Sequence, residues 1–140
     1  MKLSIITICY NSASTIRDTI ESVLSQDHTD IEYIVVDGGS KDGTQAIVES
    51  YGERISRFIS EPDKGLYDAM NKGVALATGE VIGILNSDDF YESSTSVSSV
   101  MAELESHPEN DAVFGDVVFV NPADLLKVTR FYRGNRFVPW

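Results

Sequence analysis

Two adjacent carboxylates, Asp88 and Asp89, lie near the end of the stretch GEVIGILNSDDFY at residues 79–91, shortly after the strand-like run Val81–Leu85. Neighbouring acids resist being ionised together unless a cation neutralises them. A hard divalent ion with oxygen ligands, Mg2+ or Mn2+, would do so and still leave positions for phosphate oxygens. A solvated acidic turn at the start of a helix is the plainer explanation of the same pair. A third acid, Asp37, ends the apolar run YIVVD in front of Gly38 and Gly39. Asp-Gly is a common turn, but a carboxylate at a strand end can also face a ribose hydroxyl or a base edge. Both readings of Asp37 stand when it is taken alone. If one framework brings the three acids to a single edge, the metal reading of Asp88 and Asp89 is the stronger.

Apolar runs alternate with helical periodicity along the chain. Leu3–Tyr10 reads as a first strand, and Ile16, Ile20, Val23 and Leu24 then mark one face of a helix, with Ser12 or Ser14 available as its cap. EYIVVD is a second strand, ending in the turn-forming GGSKDGT; Ile47, Val48 and Tyr51 suggest a short helix, and RISRFIS a third strand. GLYDAMNKGVALA follows as a helix closed by Gly79. Then come the strand Val81–Leu85, predicted as buried, a helix carrying Val97, Val100, Met101 and Leu104, and the strand AVFGDVVFV. Strand-helix alternation implies right-handed βαβ units and an α/β fold with a doubly wound, mostly parallel, Rossmann-like sheet. Ligands of such sheets bind beyond the carboxyl ends of the strands, where the strand order reverses. Tyr10 and Asn11, then Asp37 to Gly39, then Asn86, Asp88 and Asp89 all follow strands, so all three clusters are expected on that edge.

The composition fits one globular domain of 140 residues, 42% hydrophobic and 24% charged. No apolar run approaches the length of a membrane span, and no secretory leader is read at MKLSIITICY. The single cysteine, Cys9, excludes an internal disulfide and fits a reducing compartment; it reads as a small core side chain rather than a nucleophile. The net charge of −11 argues against nucleic acid as a partner. From Leu125 onward there are four basic residues and no acid, so the rest of the chain carries −15. A body that acidic needs a cation between itself and an anionic ligand. GGSKDG lacks the spacing of a dinucleotide fingerprint, and no phosphate-binding P-loop is present.

SIITICYNSASTIRDTIESVLSQ, YIVVDGGSKDGT, DKGLYDAMNKGVALATGE and ILNSDD, in this order and spacing, resemble the family 2 glycosyltransferases of GT-A fold, in particular bacterial enzymes of surface and capsular polysaccharide synthesis. The resemblance covers about residues 1–120, giving a nucleotide-sugar-binding domain there and an incomplete acceptor-side region over 121–140. It implies an inverting, metal-dependent transfer from a UDP-sugar to a hydroxyl of a saccharide or lipid-linked saccharide acceptor. Thr7, Tyr10 and Asn11 would line the uracil pocket, and Asp37 would accept a hydrogen bond from the uracil ring. Asp88 would lie by the ribose and pyrophosphate. Asp89, supported by Asp88, would hold Mn2+ or Mg2+, because the first position of the family's acidic signature is here Asn86. Asp63, Lys64 and Asp68 fall in a motif assigned to UDP-sugar binding, whereas Lys72 reads as a solvated helix charge.

The resemblance places the catalytic base in a later acidic motif, beyond Trp140, since Asp116 in FGDV comes too early. The chain therefore reads as the N-terminal part of a longer, cytoplasmic enzyme. Its basic aromatic tail (Lys127, Arg130, Phe131, Tyr132, Arg133, Arg136, Phe137) is open to two readings: peripheral contact with the inner face of the plasma membrane, or packing against acceptor-side structure. Two alternatives stand beside the transferase. One is a non-catalytic nucleotide-binding fragment. The other is a sugar nucleotidyltransferase, disfavoured because CYNSAST lacks the Gly- and Arg-containing loop of that class.

Overall fold

A computed structural model describes residues 1–134. Four parallel strands form the main sheet: β1 (Leu3–Cys9), β2 (Ile31–Asp37), β3 (Arg57–Ser60) and β4 (Val81–Asn86), in the spatial order β3-β2-β1-β4. The order runs one way from β1 to β3, then returns to the other side of β1, so the reversal lies between β1 and β4. The chain divides into two compact units, Met1–Met101 and the residues from Ala102 onward. The line drawn from the sequence came later, after residue 120.

Central β1 is buried along its whole length, and β2 along all but its first residue, which is why both read as unbroken apolar runs. One face of the sheet carries Leu3, Ile5, Cys9, Tyr33 and Val35. Packed there are Ile16, Ile20 and Val23 of α1 (Ile16–Leu24), Val48 of α2 (Thr44–Glu49), and Val97 and Met101 of α4 (Ser96–Ser106). The opposite face, Ile6, Ile8, Ile34 and Val36, packs against Ala69 and Met70 of α3 (Leu66–Leu76). Helices on both faces make the sheet doubly wound, as expected. Gly73 of α3 lies so close to Ile6 that a Cβ there would collide with its side chain.

Three local expectations change. β4 is an edge strand: Val81, Gly83 and Leu85 turn inward, while Ile82 and Ile84 are exposed, so its apolar run is one covered face and one open one. Gly79 does not close α3, whose cap is Ala77 in extended conformation. It lets the chain pass against β1, where a Cβ would come within 2.6 Å of the Ser4 amide nitrogen. The fifth strand, β5 (Val117–Asn121), is not in the parallel sheet. It pairs antiparallel with β6 (Asp124–Tyr132) in the second unit, because a two-residue connection permits a hairpin but no crossover.

The amino-terminal edge of the main sheet is tied down by one carboxylate. Glu32, buried, accepts hydrogen bonds from Ser4 Oγ (2.6 Å), Thr78 N (2.7 Å) and Thr78 Oγ1 (2.9 Å). Lys2 Nζ and Arg57 Nε approach it at 3.6 and 3.9 Å. Burial, the largest influence, pushes its pKa up, but the hydrogen bonds from Ser4 and Thr78 and the charge of Lys2 outweigh it and bring the carboxyl down to about 2. No helix among the described residues is long and apolar enough to cross a membrane.

Candidate functional site

A cleft of about 560 Å3 opens at the carboxyl ends of β1 and β4, the point where the strand order reverses. It lies wholly within the first unit. Tyr10, Asn11 and Ser12 line it from the end of β1; Asp63, Gly65 and Leu66 from the approach to α3; Asn86, Ser87 and Asp88 from the end of β4. Parallel register explains the convergence, because Cys9 pairs with Asp37 and Ile8 with Asn86, so the strands finish level.

The loops after β1 and β2 are laced together. Asn11 takes a left-handed backbone (φ 50°), which asparagine tolerates better than most residues. Its amide nitrogen donates to Ser40 Oγ (2.7 Å), and its side-chain oxygen accepts from Lys41 N (3.0 Å). Ser12 N donates to Thr44 Oγ1 (2.8 Å), and Ala13 N to Asp42 Oδ2 (3.0 Å). Hydrogen bonds from Thr44 and Ala13 hold the Asp42 carboxyl below its usual range. Ser12 and Ser87 bring their hydroxyls within 2.7 Å across the cleft floor. Tyr10, between these anchored neighbours, is left 65% exposed.

Two expected site residues have buried side chains. Thr7 does not line a base pocket: it is fully buried within the sheet, where its hydroxyl accepts from Tyr33 Oη at 3.0 Å. Side chains of β1 alternate between two covered faces, and Thr7 shares the face of Leu3, Ile5 and Cys9. Asp37 is at the strand end, but its carboxylate is sealed, 0% exposed. Oδ2 accepts from Gly39 N (3.1 Å), Ser40 N (2.9 Å) and Ser60 Oγ (2.6 Å), while Oδ1 accepts from Ser40 Oγ. Burial raises its pKa, yet the Ser40 and Ser60 hydroxyls and the two backbone amides together hold it below the usual carboxylate range. Asp37 thus builds the turn that steadies Asn11 through Ser40. Cys9, beneath it, is buried, and desolvation with the nearby Asp37 charge pushes its thiol up, out of reach of nucleophilic use.

The other residues fall as follows. Asp63 lines the cleft, with Oδ1 accepting from Gly65 N at 2.8 Å. Lys64 is exposed, and its amide donates to Asp68 Oδ2 (3.0 Å). Asp68 in turn faces Lys72 Nζ (3.5 Å), which also pairs with Glu61 (2.9 Å), so Lys72 is a bridging cation rather than a solvated one. Asp88 lines the cleft and is exposed. Asp89 stands beside it; its Oδ2 accepts from Asn86 Nδ2 (3.2 Å), and its carbonyl accepts from Thr19 Oγ1 (2.8 Å). In the second unit Asp116 accepts from Gly134 N (2.7 Å), and Lys127, Arg130, Phe131, Tyr132 and Arg133 are exposed. Arg136 and Phe137 lie outside the described residues. Sequence reasoning missed the serines: Ser12, Ser40 and Ser87 hold the site together, and only Ser40, three residues after an Asp in a glycine turn, had a recognisable pattern.

No group of three or more His, Cys, Asp or Glu side chains among the described residues converges as a metal cage. Asp88 and Asp89, with the Asn86 amide, are hard oxygen donors in the right number for an ion that takes its remaining ligands from a phosphate and water. The donor set therefore fits Mg2+ or Mn2+ as a shared, not a fully protein-bound, ion.

The family model described as glycosyl transferase family 2 matches residues 4–137. A PGL/p-HBAD biosynthesis glycosyltransferase of Mycobacterium bovis is 33% identical over 137 residues, which are 96% of this chain and 51% of that protein. A Rickettsia typhi protein named an uncharacterized glycosyltransferase is 43% identical over 89 residues, 64% of this chain and 28% of its own. The chain thus spans about half the length of the mycobacterial relative and less of the other. Among solved structures, S. aureus TarS 1–349 in complex with UDP-GlcNAc superposes with a TM-score of 0.70 at 28% identity, over 77% of this chain and 32% of that one. The mannosyltransferase PcManGT of Pyrobaculum calidifontis, 23% identical with a TM-score of 0.70 over 89% of this chain and 37% of its own, shares the fold. The mixed α/β, parallel-sheet architecture is that of GT-A glycosyltransferases.

Proposed function

From the premise that this chain belongs to glycosyl transferase family 2, we propose that its cleft binds a UDP-sugar with a divalent metal and presents the sugar for inverting transfer to a saccharide or lipid-linked saccharide hydroxyl, in surface polysaccharide synthesis. The observation that carries this reading is the cleft itself, at the switch point of a doubly wound sheet, lined by the exposed Tyr10 ring and the exposed Asp88 carboxylate with exposed Asp89 next in the chain. Two comparisons support it: the UDP-GlcNAc complex of TarS, and the PGL/p-HBAD biosynthesis name of the mycobacterial relative.

In this reading Tyr10 stacks on the base, Asp88 faces the ribose and pyrophosphate, and Asp89 with Asp88 holds Mn2+ or Mg2+. Asn11, Asp37 and Ser40 keep Tyr10 in place, and Asp68 and Lys64 fix the approach to α3 on which Asp63 stands. The bound ion supplies Lewis-acid stabilisation of the charge that grows on the leaving diphosphate. The acceptor oxygen attacks the anomeric carbon from the face opposite the diphosphate, and the electrons of the breaking bond leave with UDP. None of the cleft's carboxylates is assigned as the base that takes the acceptor's proton.

Titrating a panel of nucleotide sugars calorimetrically, with Mn2+ or with a chelator, tests the assignment. UDP-sugars should bind, more tightly with Mn2+, and Asp89→Ala should abolish the metal response. A metal response that survives in Asp89→Ala removes the metal assignment, and failure of every nucleotide sugar to bind removes the donor assignment.

A further inference from the structure

Asp37 spends both of its oxygens on the protein, so a nucleotide base in this cleft needs another partner for its edge. The next residue, Gly38, shows where that partner is. A Cβ built on Gly38 would lie 2.5 Å from Asp63 Oδ2 and 3.3 Å from Tyr10 Cδ2. The volume a side chain at 38 would fill is taken by the Asp63 carboxylate, beside the Tyr10 ring. Asp63 is half-buried and anchored through Oδ1, which accepts from the Gly65 amide (2.8 Å), while Oδ2 accepts no hydrogen bond from the described residues. Gly38 has no left-handed backbone requirement, so its missing side chain, rather than its flexibility, is what the site uses.

We propose that Asp63, admitted by the bare Cα of Gly38, is the residue that reads the base edge beside the Tyr10 ring, and that Asp37 only positions the turn. The inference rests on the nucleotide-sugar reading above. A carboxylate only accepts, so it pairs with a ring N–H next to a carbonyl, as in uracil. Cytosine places a ring acceptor at the same position and is repelled. Guanine shares the N–H and carbonyl edge, so UDP, GDP and CDP are titrated separately.

Wild type should bind UDP about tenfold or more tightly than CDP, the size expected for one charge-assisted hydrogen bond. Asp63→Asn carries both a donor and an acceptor, matching the cytosine edge, and should bring the two affinities within about threefold of each other. Asp63→Ala should weaken UDP about tenfold with no gain for CDP. Gly38→Ala should lose the preference while melting like wild type, because the atom it displaces is the far end of a movable side chain. Asp37→Asn should weaken UDP and CDP alike. An unchanged UDP-to-CDP ratio in Asp63→Asn, with the protein still folded by circular dichroism, overturns the inference. A GDP preference that Asp63→Asn removes overturns the choice of uracil and upholds Asp63 as the reader. Absence of all nucleotide binding by the wild type overturns the underlying reading and the inference with it.

Discussion

The two ends of the parallel sheet handle negative charge in opposite ways. At the amino-terminal end, Glu32 is buried, receives three short hydrogen bonds from Ser4 and Thr78, and has Lys2 and Arg57 nearby. At the carboxyl end, Asp88 and Asp89 are exposed, no Lys or Arg among the described residues lines the cleft beside them, and Asp63 Oδ2 accepts no hydrogen bond from those residues. Where the protein neutralises its own acids they hold the fold. Where it leaves them exposed, they are available to the proposed ligand and its cation. Asp37 shows that position alone does not decide the matter: it is at the carboxyl end and satisfied like Glu32.

The largest effect should come from breaking the satisfied end. Glu32→Ala strands the Ser4 and Thr78 donors and leaves Lys2 and Arg57 without their counter-charge, at a cost of about 3 kcal/mol in urea unfolding. Nucleotide affinity of the protein that remains folded should not change. Acid sharpens the same contrast. The carboxyl of Glu32 ordinarily titrates at 4.5 and is held at about 2 in the fold, so the stability it contributes is complete above about 4.5 and is lost as the pH falls toward 2. Asp37, also depressed, acts in the same direction. Urea midpoints followed against pH should therefore drop through that window, with a flatter slope in Glu32→Gln.

Asp37→Asn comes next. The amide NH2 takes the place of one oxygen and faces that oxygen's donors, Ser40 Oγ at Oδ1 or Gly39 N, Ser40 N and Ser60 Oγ at Oδ2, which should cost about 2 kcal/mol and loosen the turn that Ser40 shares with Asn11. Equal stability of this variant and wild type would mean that Asp37 belongs with the exposed acids after all. The smallest effect on the fold should be Tyr10→Ala, less than about 0.5 kcal/mol because the ring is mostly exposed. Its cost should appear instead as a loss of about 1 kcal/mol or more in UDP affinity, the scale of base stacking on an aromatic ring.

Much of this contrast was legible in the sequence. Alternating apolar runs and helical faces gave the doubly wound sheet, and the rule for parallel sheets put Tyr10, Asn11, Asp88 and the end of the second strand on one edge. The sequence did not say which way a side chain at that edge turns. Thr7 faces the core because strand side chains alternate, and an apolar run buried on both faces hides that period. Asp37 turns inward because Ser40 and Ser60 offer hydroxyls, one of them from a strand 23 residues away. Val81–Leu85 reads as buried because nothing local marks an edge strand, and the hairpin of the fifth strand is missed because its partner, Asp124–Tyr132, is read as part of a basic aromatic tail rather than as a strand. The Asp63–Gly38 contact joins residues 25 apart and leaves no trace in either motif alone.

The central claim is that the exposed acids at the carboxyl end serve a metal-bound nucleoside diphosphate. A crystal structure of the chain soaked with UDP and Mn2+, with manganese located by its anomalous signal, tests it most directly. The expected result is a manganese peak at Asp88 and Asp89, diphosphate density against it, and the uracil ring against Tyr10 with its N3 facing Asp63. A UDP molecule bound away from this cleft, or a manganese peak with neither Asp88 nor Asp89 among its ligands, would contradict it.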